Sequence, residues 1–243
     1  MGQIKLIALD MDGTLLNKDD MITDYTREVL SQAMDKGVHV VLSTGRWLES
    51  CYPYAEALGL TSYLVTSNGG QIWTVKKELI EEHLLETAKL EKMYHLGKEI
   101  GLDMWMVSTK GVYRDRLPDD YLEQDWLKLG CDTFDKQKLE EMMKELSYID
   151  GLELTNSLPT NVEVNPKGVN KANALKTVCE KIGITMDNVF AAGDSLNDIK
   201  MIQQAGIGVA MGNAQEAIKK AADFVTDTNN NDGVAKAVKR FVL

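Results

Sequence analysis

The sequence predicts an α/β fold, a doubly wound parallel sheet interrupted by an inserted α+β domain. Three observations predict it. Short apolar runs alternate with helical patterns at both ends of the 243-residue chain, as in βαβ units whose sheet is buried on both faces. Three of these runs end on acidic or hydroxyl residues. Between the two ends the pattern changes to hairpin-like alternation beside amphipathic helices.

The first apolar run is Ile4–Leu9, ending at Asp10. A helical pattern follows through Tyr25, Val29, Ala33 and Met34 and closes at Gly37. Val38–Leu42 forms a second run before Ser43-Thr44-Gly45, and Tyr63–Val65 a third before Ser67-Asn68-Gly69-Gly70. The pattern resumes with a helix over Ala172–Ile182, a strand over Val189–Ala192, a helix over Asp198–Ala205 and a strand over Gly208–Ala210. A helix over Ala214–Ala222, a short strand at Phe224-Val225 and a helix over Asp232–Phe241 close the chain. In the middle, Leu90, Met93, Tyr94 and Ile100 suit a helix, and Asp103–Arg114 a hairpin turning at Gly111. Leu139, Met142, Met143 and Leu146 repeat at helical spacing. Strands around Leu152–Leu154 and Val162–Val164 complete a helix–strand–strand, helix–strand–strand insert with an open-faced antiparallel sheet. We expect the insert at 81–165, and the outer segments 1–80 and 166–243 as one discontinuous domain.

Composition narrows the function. Lys and Arg number 27 against 37 Asp and Glu, for a net charge of −10. That balance argues against a general nucleic-acid footprint, and an acidic protein handling an anion needs local cations or a metal. No apolar run approaches the ~18 residues of a membrane span, and the run ahead of Asp10 is too short for a secretory signal. Cys51, Cys131 and Cys179 are far apart and odd in number, and His39, His83 and His95 form no ligand pair. A reducing cytoplasm is the expected location, with no membrane or nucleic-acid partner.

Asp10 with Asp12, Ser43 with Thr44, and Asp194 each lie just past a predicted strand. Ligand sites of open parallel sheets lie beyond the carboxyl ends of the strands, and neighbouring strands are only ~4.8 Å apart, so these side chains can share one volume. Two carboxylates at i and i+2 of an extended chain point the same way and suit Mg²⁺, which takes oxygen ligands. In Gly193-Asp194-Ser195-Leu196-Asn197-Asp198, capping alone accounts for one polar residue and not for all of them. Asp10, Asp12, Asp194 and Asp198 together repel one another unless a divalent cation and a lysine sit among them. Lys171 is the candidate lysine, although a lysine at a helix start is by itself an ordinary surface residue. Ser43-Thr44-Gly45-Arg46 is a strand-to-helix turn able to bind an anion or simply to cap the helix.

Four pieces in order, Asp10-Met11-Asp12-Gly13-Thr14-Leu15-Leu16-Asn17, Ser43-Thr44-Gly45-Arg46, Gly168-Val169-Asn170-Lys171 and Gly193–Asp198, resemble the haloacid dehalogenase-like (HAD) hydrolases. The likeness is to the Cof-type, sugar-phosphatase-like branch with a type IIB cap. It implies a Rossmann-like core, a cap over residues 81–165 and a Mg²⁺-dependent phosphatase of small phosphorylated metabolites, sugar or polyol phosphates, working through an aspartyl-phosphate. By resemblance Asp10 is the nucleophile, and Asp12 the proton donor and then acceptor. Thr44, Asn197 and the backbone N–H groups of Met11 and Gly45 hold phosphoryl oxygens. Lys171 neutralises charge, and Arg46 touches substrate. Asp10, Asp12 and Asp194 ligate Mg²⁺, with Asp198 supporting the metal shell or orienting Lys171. The partner is a small phosphate ester, and the chain a monomer or weak homodimer. A phosphomutase would use the same chemistry, and a phospho-aspartate signalling module is a non-enzymatic alternative.

Overall fold

The computed structural model describes residues 2–243. The chain runs β1 (Leu6–Leu9), α1 (Asp24–Asp35), β2 (His39–Ser43), α2 (Leu48–Ala57), β3 (Tyr63–Thr66), β4 (Gln71–Thr74) and β5 (Leu79–Glu82). It continues as α3 (Thr87–Ile100), β6 (Asp103–Ser108), β7 (Gly111–Arg114), β8 (Trp126–Asp132), α4 (Lys136–Leu146), β9 (Leu152–Thr155) and β10 (Asn161–Pro166). It returns through α5 (Lys171–Ile182), β11 (Val189–Gly193), α6 (Ile199–Gln204), β12 (Ile207–Ala210), α7 (Glu216–Ala221), β13 (Phe224–Val225) and α8 (Gly233–Phe241).

The strands form two sheets. The larger has the order β13-β12-β11-β1-β2-β3-β4-β5. From β13 to β3 its pairings are parallel, whereas β4 and β5 add antiparallel at one edge. Strands β1, β11 and β12 are buried at every position, because helices cover both faces of a parallel sheet and leave no face for polar residues. α1 packs against α8, and α5 against α6. The core gathers Leu6, Leu9, Leu42, Leu64, Phe190 and Val209 with the apolar sides of these helices.

The smaller sheet is antiparallel, in the order β7-β6-β8-β10-β9. Met104, Met106, Leu129, Cys131, Val162 and Val164 on one face pack with Leu90, Met93, Leu139, Met142 and Leu146 of α3 and α4 as a separate cluster. The registers pair Trp105 with Gly130, Val107 with Lys128, and Gly130 with Glu163. Alternation places these residues on the opposite face. That face is turned toward the carboxyl ends of the larger sheet, where Lys128 and Glu163 line a cavity with Asp10.

Two expectations change. The insert carries a further strand, β8, which lies at the middle of its sheet. The larger sheet is mixed, because Ser67-Asn68-Gly69-Gly70 turns the chain back as β4. Ser67 and Asn68 take φ of 52° and 60° and Gly69 98°, a left-handed run that reverses β3 into an antiparallel neighbour. We place the crossings between the two bodies at the end of β5, Glu82, and just after β10, Pro166. The three cysteines are buried and free, and no helix among the described residues is long and apolar enough to cross a membrane.

Phe190 is fully buried on β11, between Ile7 of β1 and Ile207 of β12. Phe190→Ala removes that packing and leaves a cavity. Urea unfolding is expected to show a loss of about 3–5 kcal/mol, and an unchanged midpoint would contradict the placement of the core.

Candidate active site

Strand β1 is where the chain changes direction across the sheet, since β2 and β3 extend to one side and β11 and β12 to the other. Such a switch point opens a crevice beyond the carboxyl ends, and both of its lips bear acid. Asp10 follows β1, and Asp194 follows β11. Gly13 lets the chain turn away immediately. Its φ is +79°, and a Cβ there would lie 2.5 Å from Asp194 Oδ2, so only glycine fits between the two strand tips. Thr14 Oγ1 donates to Asp194 Oδ1 at 3.0 Å, tying the tips together.

Lys171 is brought in by α5. The Asn170 side chain caps that helix by accepting from Asn173 N at 3.0 Å, and the next residue is driven inward. The Lys171 side chain is fully buried, and its ammonium donates to Asp10 Oδ1 at 2.6 Å and Asp198 Oδ1 at 2.7 Å. The surface-residue expectation for a lysine at a helix start therefore fails. Asp198 uses its second oxygen on the backbone, accepting from Asp194 N at 2.9 Å and Ser195 N at 3.1 Å. It caps its own turn and holds Lys171 at once, so the capping and functional explanations of this segment both hold.

The electrostatics follow from crowding. Burial first, then the charges of Asp198 and Asp194, raise the Asp10 carboxyl well above its ordinary value, against the pull of Lys171. Burial and Asp198 likewise push Asp194 up to about 6, opposed by hydrogen bonds from Ser195 and Thr14. Burial disfavours the Lys171 ammonium, but Asp10 and Asp198 outweigh it and the net shift is upward. Oxygens of Asp10, Asp194 and Asp198 lie within 4.8 Å of one another. Three carboxylates against one ammonium leave surplus negative charge, and an all-oxygen donor set of this kind fits a hard divalent cation.

The remaining expected residues are near but differently engaged. Arg46 forms a two-pronged pair with Asp12, Nε to Oδ2 at 2.9 Å and Nη2 to Oδ1 at 2.5 Å, with Tyr54 under its guanidinium at 5.3 Å. The Asp12 hydrogen bond chiefly drives the Arg46 pKa up. Thr44 is buried, and its hydroxyl accepts from Arg46 N at 3.1 Å. It caps no helix, because Trp47 occupies that position for α2. The Met11 side chain belongs to the core, which leaves only its backbone for the site. Asn197 lines the cavity and donates to Asn68 Oδ1 at 3.3 Å, while its own Oδ1 is buried without a partner.

Sequence inspection missed the ceiling of the site. Lys128 donates to Glu163 Oε2 at 2.6 Å, and both side chains are buried. Asn68 donates to the same oxygen at 2.7 Å, and Ser157 Oγ to Oε1 at 2.6 Å. Burial acts to raise the Glu163 pKa, but Lys128 and these donors outweigh it and hold the carboxyl low. The signal lay in single charges inside apolar runs, Lys128 in Trp126–Cys131 and Glu163 in Val162–Val164. Gly45 lies at the junction, where a Cβ would lie 3.0 Å from Asn68 Oδ1 and 3.4 Å from Lys128 Nζ. Asp10, Asp12, Gly45, Arg46, Lys128 and Asn197 all face one cavity of 430 Å³.

Lys171→Met keeps most of the unbranched side chain and removes its charge, stranding two buried carboxylates. At neutral pH the unfolding free energy is expected to fall by about 3–5 kcal/mol. The loss should shrink on acidification as the carboxylates take up protons. Equal stability at neutral pH would contradict the pairing.

A sequence profile for haloacid dehalogenase-like hydrolases matches residues 7–119 and 115–238. A 5-amino-6-(5-phospho-D-ribitylamino)uracil phosphatase of Bacillus subtilis is 50% identical over 240 residues, covering 99% of this chain and 96% of the relative. A phosphoglycolate phosphatase of Methanobrevibacter smithii is 34% identical over 247 residues, covering 99% of each. Among solved structures, a haloacid dehalogenase-like hydrolase from B. subtilis superposes with a TM-score of 0.89 at 27% identity, over 97% of this chain and 99% of that one. A sugar phosphatase of HAD subclass IIB gives 0.83 at 26%, over 98% of each. The chain thus belongs to the Cof-type haloacid dehalogenase-like hydrolases and is a phosphoric monoester hydrolase.

Proposed function

We propose that the chain is a Mg²⁺-dependent phosphatase of small polyol- or sugar-bearing phosphate esters, working through a phosphoryl group carried on Asp10. The observation that carries this is the Lys171 ammonium held against Asp10 and Asp198 at the switch point, with Asp12 two residues on. Lys171 engages Asp10 through Oδ1, so the second oxygen is the one to attack phosphorus. Attack transfers the phosphoryl group to Asp10 and breaks the bond to the leaving oxygen, which takes a proton from Asp12. Asp12 then takes a proton from the water that cleaves the acyl phosphate, returning Asp10 as a carboxylate. The second carboxylate divides one difficult displacement into two steps with a proton shuttle.

Thr44, Asn197 and the Met11 and Gly45 N–H groups would hold phosphoryl oxygens, and Lys171 would offset their charge. Arg46 keeps Asp12 directed at the cavity. Asp10 and Asp194, with Asp12 completing the set, would hold Mg²⁺, which supplies charge neutralisation at the phosphoryl oxygens. Asp198 spends one oxygen on the Lys171 ammonium and the other on two backbone N–H groups, whereas the side-chain partners of Asp194 are hydroxyls that can share their acceptor with a cation, so we assign Asp198 to orienting Lys171 beside the metal ligands. The relative at 50% identity makes 5-amino-6-(5-phospho-D-ribitylamino)uracil the first ester to test.

Two outcomes follow. Asp10→Asn should lower phosphate release by at least about a thousandfold with circular dichroism unchanged, while the wild-type product should be inorganic phosphate rather than an isomerised ester. A fully active variant would contradict the assignment. Asp194 has its pKa raised from 3.8 to about 6, so without cation its contribution to stability is present below pH 3.8 and is lost as pH rises through about 6. Mg²⁺ binds the deprotonated form. At a hundred times its Kd it should add ~2.7 kcal/mol, about 5–10 °C in Tm for a chain of this size, near neutral pH. The rise should shrink toward pH ~5. A Tm indifferent to Mg²⁺ at both pH values would contradict the cation site.

A further inference from the structure

A second cavity of 540 Å³ adjoins the first and shares Gly45, Arg46 and Lys128 with it. Each volume alone falls in the range that small-molecule pockets span, about 300–1,000 Å³. The space beyond Lys128 is an open cleft, too large to be filled by a phosphoryl group or a short alcohol. One wall comes from the segment after β2, with Trp47 and Ser50, and the other from the face of the smaller sheet, with Trp105, Val107 and Arg114.

Trp105 is held flat against the sheet by a cross-strand glycine, a recurrent pairing in β-sheets. Its cross-strand neighbour is Gly130, and a Cβ at 130 would overlap Cζ2, Cε2 and Cη2 of the indole. The ring therefore lies across the backbone of β8 in the space the glycine leaves, and its half-buried face lines the cavity. The arrangement offers a fixed aromatic plane with cationic donors at its edges, Arg114 on β7 opposite Trp105 in register and Lys128 two residues before Gly130 on β8.

From this geometry we propose that the second cavity binds a planar heteroaromatic ring on the leaving group, stacked on Trp105 and joined to the phosphate by a hydroxylated chain that passes Lys128. The proposal rests on the phosphatase reading and specifies its substrate class. Stacking supplies area without directional demands, and rings with carbonyl oxygens gain donors from Arg114 and Lys128. An aliphatic phosphate ester would leave the indole facing water.

The test uses matched esters that differ only by the ring, uridine 5′-monophosphate against ribose 5-phosphate and flavin mononucleotide against ribitol 5-phosphate. Their affinities for the Asp10→Asn enzyme with Mg²⁺ are measured by calorimetry. A base stacked on an aromatic side chain is worth roughly 5- to 150-fold in affinity, so the ringed ester of at least one pair should bind at least about fivefold tighter. Trp105→Ala and Gly130→Ala should bring that ratio near one, and Trp105→Phe should restore part of it. A ratio near one in both pairs, or a ratio unchanged in Trp105→Ala while both affinities fall together, overturns the proposal. Phosphate release by the wild-type enzyme from these four esters reads the parent assignment separately. Ring-selective binding without release from any of the four would overturn the proposed substrate class of the phosphatase and leave the ring site standing.

Discussion

The buried ammonium of Lys171 sets the terms for this protein. Lys171 is fully buried and donates to Asp10 and Asp198. Taking these charges out of solvent is costly unless their geometry is good and their remaining lone pairs are used. The fold meets that condition from three directions. β1 delivers Asp10, the turn after β11 delivers Asp198 with two backbone donors already on its second oxygen, and the cap of α5 aims the lysine. The same crowding leaves Asp10 and Asp194 with raised pKa values. The site therefore carries surplus negative charge as a set of side chains, a donor set that suits a divalent cation. The stability of the sheet centre and the chemistry proposed for it depend on one set of contacts.

The two bodies meet through a polar chain rather than an apolar seam. Asn197 on the larger body donates to Asn68, Asn68 to Glu163 on the smaller, and Lys128 to the same carboxylate. Every member is buried or half-buried, so the low local dielectric makes the network strong when whole and costly when broken. Asn68 can play this part because its left-handed backbone at the β3 to β4 reversal turns its side chain toward the other sheet.

The legibility of these features in the sequence followed their locality. Asp10, Asp194 and the parallel core were readable because a strand that is buried on both faces shows as an unbroken apolar run, and a polar residue just past its end stands out. Gly13 was readable as a turn, although its closeness to Asp194 was not. Strand β8 was hidden because Lys128 and Gly130 interrupt its apolar pattern, and both residues are there for three-dimensional reasons: one pairs with Glu163 and the other makes room for Trp105. β4 and β5 carry Gln71, Thr74, Glu81 and Glu82, the mixed composition of an edge with one open face. The burial of Lys171 could not be seen from its own segment, because its partners lie 161 and 27 residues away in sequence.

The most direct test asks whether a phosphoryl group resides on Asp10 during turnover. Enzyme mixed with excess phosphate ester and Mg²⁺ is quenched in acid, treated with borohydride, which reduces an acyl phosphate to an alcohol, and mapped by peptide mass spectrometry. The account predicts homoserine in place of Asp10 in wild-type enzyme caught during turnover, and its absence without substrate. Turnover with no reduced carboxyl, or with the reduction at Asp12 or Asp194 in place of Asp10, would contradict it.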